Sequence, residues 1–148
     1  MDDNYSYIEL TERGIALLNT NERLAALACF EKAFTRGISP TLLSYLSYCI
    51  ATERGQIQEA LKLCNDALAQ EPGNPVHYLN LGRIYLHAGD RDEALFSLRK
   101  GLSFGEEPTI KSLLEQIGTR EKPVFPFLPR ANFLNKYTGL LLHRLKLR

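Results

Sequence analysis

Few side chains in this sequence have the types and spacing that catalysis requires. The three histidines, His77, His87 and His143, show no His-x-x-x-His or Glu-x-x-His spacing, and no serine or cysteine nucleophile motif lies beside them. The chain also lacks a glycine-rich phosphate loop. The sequence therefore predicts a protein that is not an enzyme and that carries no cofactor or catalytic metal.

Two further sets of residues could carry chemistry. Arg83 and His87 lie four residues apart, so on a helix they would share one face and could bind an anion, or could simply be two solvated side chains. Cys29, Cys49 and Cys64 are odd in number and lack Cys-x-x-Cys spacing, which argues against both a disulfide framework and a zinc site. We expect reduced thiols on helices.

Charge and hydropathy narrow the class of protein. The first seven residues, MDDNYSY, form neither the basic nor the apolar region of a secretory signal, and no stretch is apolar over the ~18 to 20 residues that span a membrane. This predicts a cytoplasmic protein. The net charge of +1 hides an asymmetry, because residues 1–121 hold 12 basic and 17 acidic side chains whereas residues 122–148 hold 6 basic and none acidic.

The element that organises the chain is a helical hairpin over residues 81–102, LGRIYLHAGDRDEALFSLRKGL. Apolar residues recur with helical spacing on both sides of Gly89, which allows a left-handed turn, and Asp90 can cap the second helix. Gly82 and Ala94 are small where the two helices should touch. Such a hairpin is too thin to bury its apolar face alone and needs similar neighbours.

The neighbours lie 34 residues apart along the chain. Gly89 corresponds to Gly55, and similar residues recur in units 7–40, 41–74 and 75–108, whose ends are marked by prolines. In the third unit the pattern of small, aromatic, glycine, alanine, large apolar, small and proline residues is formed by Gly82, Tyr85, Gly89, Ala94, Leu98, Gly101 and Pro108. This pattern resembles the tetratricopeptide repeat. The resemblance covers roughly residues 7–121 and implies an all-α fold, a right-handed superhelical stack of antiparallel helix pairs.

The first two units depart from that pattern. Asn21 stands where glycine is usual, which is a mild change because asparagine tolerates the left-handed conformation. In the second unit Tyr48 occupies the usual small position and Ala51 the usual aromatic one, so large and small residues look exchanged. Residues 109–121 repeat apolar side chains on one face and are interpreted as a helix that caps the stack.

The resemblance implies a concave groove lined by positions two, five, nine and twelve of each first helix, and hence a function in protein binding. The predicted groove residues are Ile8, Thr11, Ile15 and Leu18 in the first unit, Leu42, Tyr45, Cys49 and Thr52 in the second, and Val76, Leu79, Asn80, Arg83, Leu86 and His87 in the third. Such a groove would be unusually apolar, although part of it could pack against neighbouring repeats. We expect it to bind an extended or helical apolar peptide of a protein partner.

Family members that hold the carboxylate end of chaperones use two lysines, two asparagines and an arginine on these helices. The corresponding residues here are Thr11, Ile15, Leu46, Val76 and Asn80. Only Asn80 is polar in the required sense. The sequence therefore argues against binding of a chaperone tail.

Residues 122–148 form a basic C-terminal arm with prolines at every third position of its first part and a short amphipathic helical pattern in its second. Its apolar side chains include Phe125, Phe127, Phe133, Leu134, Tyr137, Leu141 and Leu145. Three interpretations stay open: the arm docks on the repeats of its own or a second chain and regulates the groove, it engages another protein, or it attaches the protein to an anionic membrane surface as an assembly factor. Charge alone would permit contact with nucleic acid, but no reader motif supports it.

Overall fold

The computed structural model describes residues 5–118, and within this range the secondary structure is entirely helical. The helices are α1 (Tyr7–Asn19), α2 (Arg23–Phe34), α3 (Pro40–Cys49), α4 (Ile57–Gln70), α5 (Pro75–Ala88), α6 (Arg91–Phe104) and α7 (Pro108–Gly118), with a π-helical turn at Ile50–Arg54 directly after α3. The predicted all-α stack of helix pairs is confirmed. Of the predicted capping helix 109–121, the last three residues lie outside the described range, as does the whole C-terminal arm.

Local sequence signals explain where the helices begin. Ser6 and Glu9 form a reciprocal capping box at the start of α1, in which the Glu9 carboxylate accepts a hydrogen bond of 2.7 Å from the Ser6 backbone N–H. The side chains of Ser39, Asn74 and Asp90 accept backbone N–H groups at the starts of α3, α5 and α6. Each cap satisfies donors that the first helical turn leaves unpaired.

The turns inside the helix pairs require left-handed backbone. Gly55 and Gly89 have φ of 68° and 83°, and Asn21 adopts φ of 63° at the equivalent place in the first pair. Asparagine thus substitutes for glycine as the sequence predicted. Each turn directs the chain back along the preceding helix, so α1 packs on α2, α3 on α4 and α5 on α6.

The two helices of a pair touch where one residue is small. A Cβ atom added to Gly82 would lie 2.7 Å from the side chain of Leu98, and one added to Gly14 would lie 2.4 Å from the ring of Phe30. Both distances are far below van der Waals contact, so a side chain at either position would push the pair apart. The predicted approach of Gly82 to α6 is therefore present, with the Leu98 side chain nearer than Ala94.

The second pair uses a different register from the one that 34-residue spacing predicts. Pro40 and Pro75 both begin a first helix and lie 35 residues apart, whereas Gly55 and Gly89 lie 34 apart. One extra residue is therefore present between Pro40 and Gly55, and it is accommodated by the π-helical turn, whose hydrogen bonds span five residues instead of four.

This shift corrects the apparent exchange of large and small residues. The residue equivalent to Gly82 is Ser47, which is fully buried and whose hydroxyl faces the thiol of Cys64, the equivalent of Leu98. Tyr48 is half-buried beside it and is not the contact residue. The small position is thus occupied by a small residue in all three pairs.

A cluster of polar side chains around the buried His77 lies at the junction of α4 and α5. His77 is fully buried, its Nε2 atom lies 2.9 Å from the Glu71 carboxylate, and its backbone carbonyl accepts a 3.5 Å hydrogen bond from the Cys64 thiol. Asn74 donates to the same Glu71 oxygen over 2.9 Å while capping α5. Burial lowers the pKa of His77, although the Glu71 carboxylate partly offsets this effect.

The described residues up to Leu114 form one compact unit, and Glu115 begins a second unit of which the structure describes only the last turn of α7. Within residues 5–114, Ile110 of α7 is fully buried, close to Gly101 of α6. None of the helices between residues 5 and 118 is long and apolar enough to cross a membrane.

We predict that Ser47→Leu lowers the free energy of unfolding by about 1 to 3 kcal/mol, because leucine would overpack the contact with Cys64. Tyr48→Leu, one residue away, serves as the matched control and should cost much less, since Tyr48 is only half-buried. Urea denaturation measures both. A larger loss for the Tyr48 variant would contradict the register described above.

We also predict that the protein loses stability on acidification from pH 7 towards pH 5. The unfolded chain protonates His77 near its ordinary pKa of about 6.5, whereas the folded chain with its lowered pKa does not, so protons favour the unfolded state. Urea denaturation across this pH range should show that the free energy of unfolding depends less steeply on pH in His77→Gln than in the parent protein. His87→Gln, at an exposed position of the same helix, should keep the slope of the parent protein.

Candidate functional site

A cavity of about 240 Å³ lies within residues 5–114 and is lined by side chains of all three helix pairs. Each helix pair and α7 contribute to its wall. The lining residues are Ile15, Leu18, Asn19, Asn21, Arg23, Tyr45, Tyr48, Leu79, Arg83, Glu107 and Thr109. We call this cavity the groove.

Two tyrosines of α3 give the groove an aromatic wall. The ring of Tyr45 is stacked on the core residue Phe30, with centroids 6.0 Å apart and an angle of 16° between the planes. The guanidinium of Arg83 lies over the ring of Tyr48, 5.2 Å from its centroid. Both contacts are of the kind that stabilises an aromatic ring in one orientation, edge or face, against its neighbour.

A network of buried polar side chains orients the guanidinium of Arg83. Asn80 of α5 is fully buried, and its amide donates a 2.9 Å hydrogen bond to the hydroxyl of Ser44, which is also fully buried. The Asn80 carbonyl oxygen accepts a 3.3 Å hydrogen bond from the Arg83 guanidinium. Because buried polar groups are costly when unpaired, these two hydrogen bonds fix the orientation of the Asn80 amide and of the Arg83 N–H group that bonds to it.

The groove brings charges of both signs together. Burial raises the pKa of the Tyr45 phenol, the Arg83 guanidinium partly offsets the increase, and the Glu107 carboxylate adds to it. At the other end, Arg23 is paired with Glu53 over 3.1 Å. The groove therefore combines an aromatic surface with arginines and a carboxylate, and it is less apolar than the sequence predicted.

Five of the predicted groove residues do line the cavity. They are Ile15, Leu18, Tyr45, Leu79 and Arg83. Leu79 is only 4% exposed, so it forms the floor of the groove and also belongs to the core.

Three predicted residues are buried instead, and these predictions are corrected. Leu42 and Cys49 are fully buried because the π-helical turn shifts the register of α3 by one residue, which turns both towards the core. Asn80 is also fully buried and acts through Arg83. Burial, with a contribution from the Glu53 carboxylate, raises the pKa of the Cys49 thiol to about 12.

The remaining predicted residues lie outside the groove. Ile8 and His87 are exposed, and Val76 and Leu86 are half-buried. Thr11 is nearly buried and donates its hydroxyl proton to the Tyr7 carbonyl oxygen over 2.6 Å, and the Thr52 hydroxyl bonds the Tyr48 carbonyl oxygen over 3.1 Å. Both hydroxyls thus donate their hydrogen bonds to backbone carbonyl oxygens four residues earlier in the chain.

Sequence reasoning missed six lining residues, Asn19, Asn21, Arg23, Tyr48, Glu107 and Thr109. Tyr48 could have been found from the 35-residue spacing of Pro40 and Pro75, which makes Tyr48 the equivalent of Arg83. The others lie near helix ends or in turns, where repeat positions of the first helices give no signal. In the part of the chain that the structure describes, no three His, Cys, Asp or Glu side chains are grouped as a metal site would require.

Comparisons with known proteins identify the type of repeat. Residues 51–117 match the model of the tetratricopeptide repeat family. The TPR domain of Sgt2 from Aspergillus fumigatus is 21% identical over 76% of each chain, with a TM-score of 0.60. The first TPR domain of Spaghetti (RPAP3), solved with the HSP90 peptide SRMEEVD, is 18% identical over 79% of this chain and 96% of that one, with a TM-score of 0.59. The comparison with curated proteins found no match.

We predict that Cys49 resists alkylation in the native protein, because it is fully buried and its pKa is raised to about 12. Iodoacetamide at pH 8 followed by mass spectrometry should label the half-buried Cys29 first, and Cys49 only on unfolding. Equal labelling of the two thiols under native conditions would show that Cys49 is accessible and would contradict its burial.

Proposed function

Since residues 51–117 match the tetratricopeptide repeat family and the helices form the fold of solved TPR domains, we propose that this chain is a protein-interaction adaptor that binds an extended peptide segment of a partner in the groove. The observation that carries the proposal is the aromatic and aliphatic lining of the groove, supplied by α1, α3 and α5. Its volume of about 240 Å³ lies below the range of roughly 300 to 1,000 Å³ that is typical of small-molecule sites. Such a volume suits a few side chains of a peptide.

The fold supports a peptide as ligand. The similar TPR domain of Spaghetti (RPAP3) was solved with the HSP90 peptide SRMEEVD, so a stack of this fold can bind a peptide. The residues that would hold a chaperone carboxylate are not the same here. Thr11 and Asn80 are buried and hydrogen-bonded, and Ile15 is apolar. We therefore propose a different peptide sequence as the ligand.

The roles predicted for the C-terminal arm stay predictions. Docking on the groove, self-association through a second chain, and attachment to a membrane surface all depend on residues outside the described range. The groove itself contains Arg23 and Arg83, which do not favour a basic segment. A cytoplasmic location likewise stays a prediction.

The proposal is tested with a phage-displayed random dodecapeptide library selected on the full chain. We expect the protein to enrich defined peptides and Ile15→Glu to reduce the affinity of those peptides at least about tenfold, because a charge would face the apolar part of the groove. Ile8→Glu is the matched control, since Ile8 lies on the same helix, is 53% exposed and lies outside the groove.

Circular dichroism and urea denaturation must show that both variants are folded, and Ile15→Ser replaces Ile15→Glu if the latter is not. Equal loss of binding in the Ile8 and Ile15 variants would place the binding site elsewhere. A library that yields no enriched peptide would contradict the proposal.

A further inference from the structure

Arg83 is a cation inside the groove that forms no ion pair with another described residue, although the Glu107 carboxylate lines the same cavity. Arg83 is half-buried, and its guanidinium donates a 3.3 Å hydrogen bond to the Asn80 amide oxygen and lies over the neutral ring of Tyr48. Arg23, the other lining arginine, is already paired with Glu53. A guanidinium has five N–H donors, so Arg83 has further N–H groups that could donate hydrogen bonds to a ligand.

Maintaining this arrangement costs free energy. A cation that is partly removed from water is unfavourable unless an anion or hydrogen-bond acceptors replace the lost hydration. Here Asn80 and Ser44 are fully buried polar residues whose hydrogen bond positions the acceptor of Arg83, and Tyr48 fixes the plane of the guanidinium. The groove thus holds a positive charge in a defined orientation, and no carboxylate within residues 5–118 forms an ion pair with it.

We propose that Arg83 binds the carboxylate of an aspartate or glutamate side chain within the bound peptide, while a neighbouring apolar or aromatic side chain of that peptide contacts Tyr45 and Leu79. This inference rests on the proposed function of the groove. A planar guanidinium matches a carboxylate through two parallel N–H···O hydrogen bonds, which gives both direction and strength.

The other charges of the groove favour a single carboxylate over a more highly charged group. Glu107 lines the same cavity, and its carboxylate acts on the Tyr45 phenol together with the Arg83 guanidinium. A phosphorylated side chain with about two negative charges would be repelled by Glu107, and among the lining residues within 5–118 only Arg83 is a cation without an ion-pair partner. A single carboxylate neutralises the charge of Arg83 and places less negative charge near the Glu107 carboxylate.

The experiment begins with the peptides that the wild-type chain selects from the random dodecapeptide library. Each enriched peptide is synthesised with its acidic residue and with the matching amide, Glu→Gln or Asp→Asn. Affinities for the full chain and for Arg83→Gln are then measured by calorimetry as a double-mutant cycle. Arg99→Gln, an exposed arginine on α6 outside the groove, is the matched control.

We expect acidic residues to be enriched next to an apolar or aromatic residue, and Arg83→Gln to weaken the acidic peptide about ten- to hundredfold. The same variant should bind the amide peptide as wild type does, and Arg99→Gln should bind both as wild type does. Arg83→Lys, which keeps the charge but not the planar pair of donors, should lose less and provides a second variant if Arg83→Gln is unstable.

The outcomes separate this inference from the function on which it rests. Enriched peptides that lack an acidic residue, or that show no coupling between Arg83 and the carboxylate, would overturn the role of Arg83 and leave peptide binding intact. Equal losses in the Arg83 and Arg99 variants would show an effect of overall charge and would also overturn it. If no peptide is enriched, both proposals fail.

Discussion

The close approach of two helices at one small residue is the constraint on which this structure depends. Gly14, Ser47 and Gly82 each lie against the second helix of their pair, where a larger side chain would meet Phe30, Cys64 or Leu98. Packing at this distance excludes water and buries the apolar faces of both helices, which a single hairpin could not do by itself. The direction in which every other residue of the first helices points follows from this contact.

Because the contact fixes the rotation of each first helix, it also decides which residues reach the groove. In α3 the extra residue within the π-helical turn keeps Ser47 in the contact while the turn at Gly55 stays in place. A regular α-helix would have put Tyr48 into the contact and Cys49 on the groove. The π-helical turn instead frees Tyr48 to stack with Arg83 and buries Cys49.

Stability and binding are connected in the α3–α5 interface. Ser44 and Asn80 are buried polar residues in a region where apolar side chains would pack at lower cost, and their hydrogen bond is needed because neither can reach water. Asn80 in turn orients Arg83 towards the groove. Arg83 is half-buried, and the orientation that Asn80 gives its guanidinium supports the proposed contact with a carboxylate of the peptide.

Much of the fold could be predicted from the sequence, because its signals are local. The helix cap at Asp90, the left-handed turns at Asn21 and Gly89 and the small residue at Gly82 depend on backbone geometry within a few residues, and the structure contains each of them. The repeat itself was visible for the same reason, since equivalent contacts recur at nearly constant spacing.

The composition of the groove was decided only by the tertiary structure. Ile15, Tyr45 and Arg83 line the cavity at positions that the repeat spacing indicated, whereas Tyr48 lines it in place of Cys49 because one inserted residue can be absorbed anywhere between Pro40 and Gly55. Spacing alone does not show where a helix takes up that residue. The choice is made by packing, because burying a serine against Cys64 in that contact costs less than forcing a tyrosine into the same space.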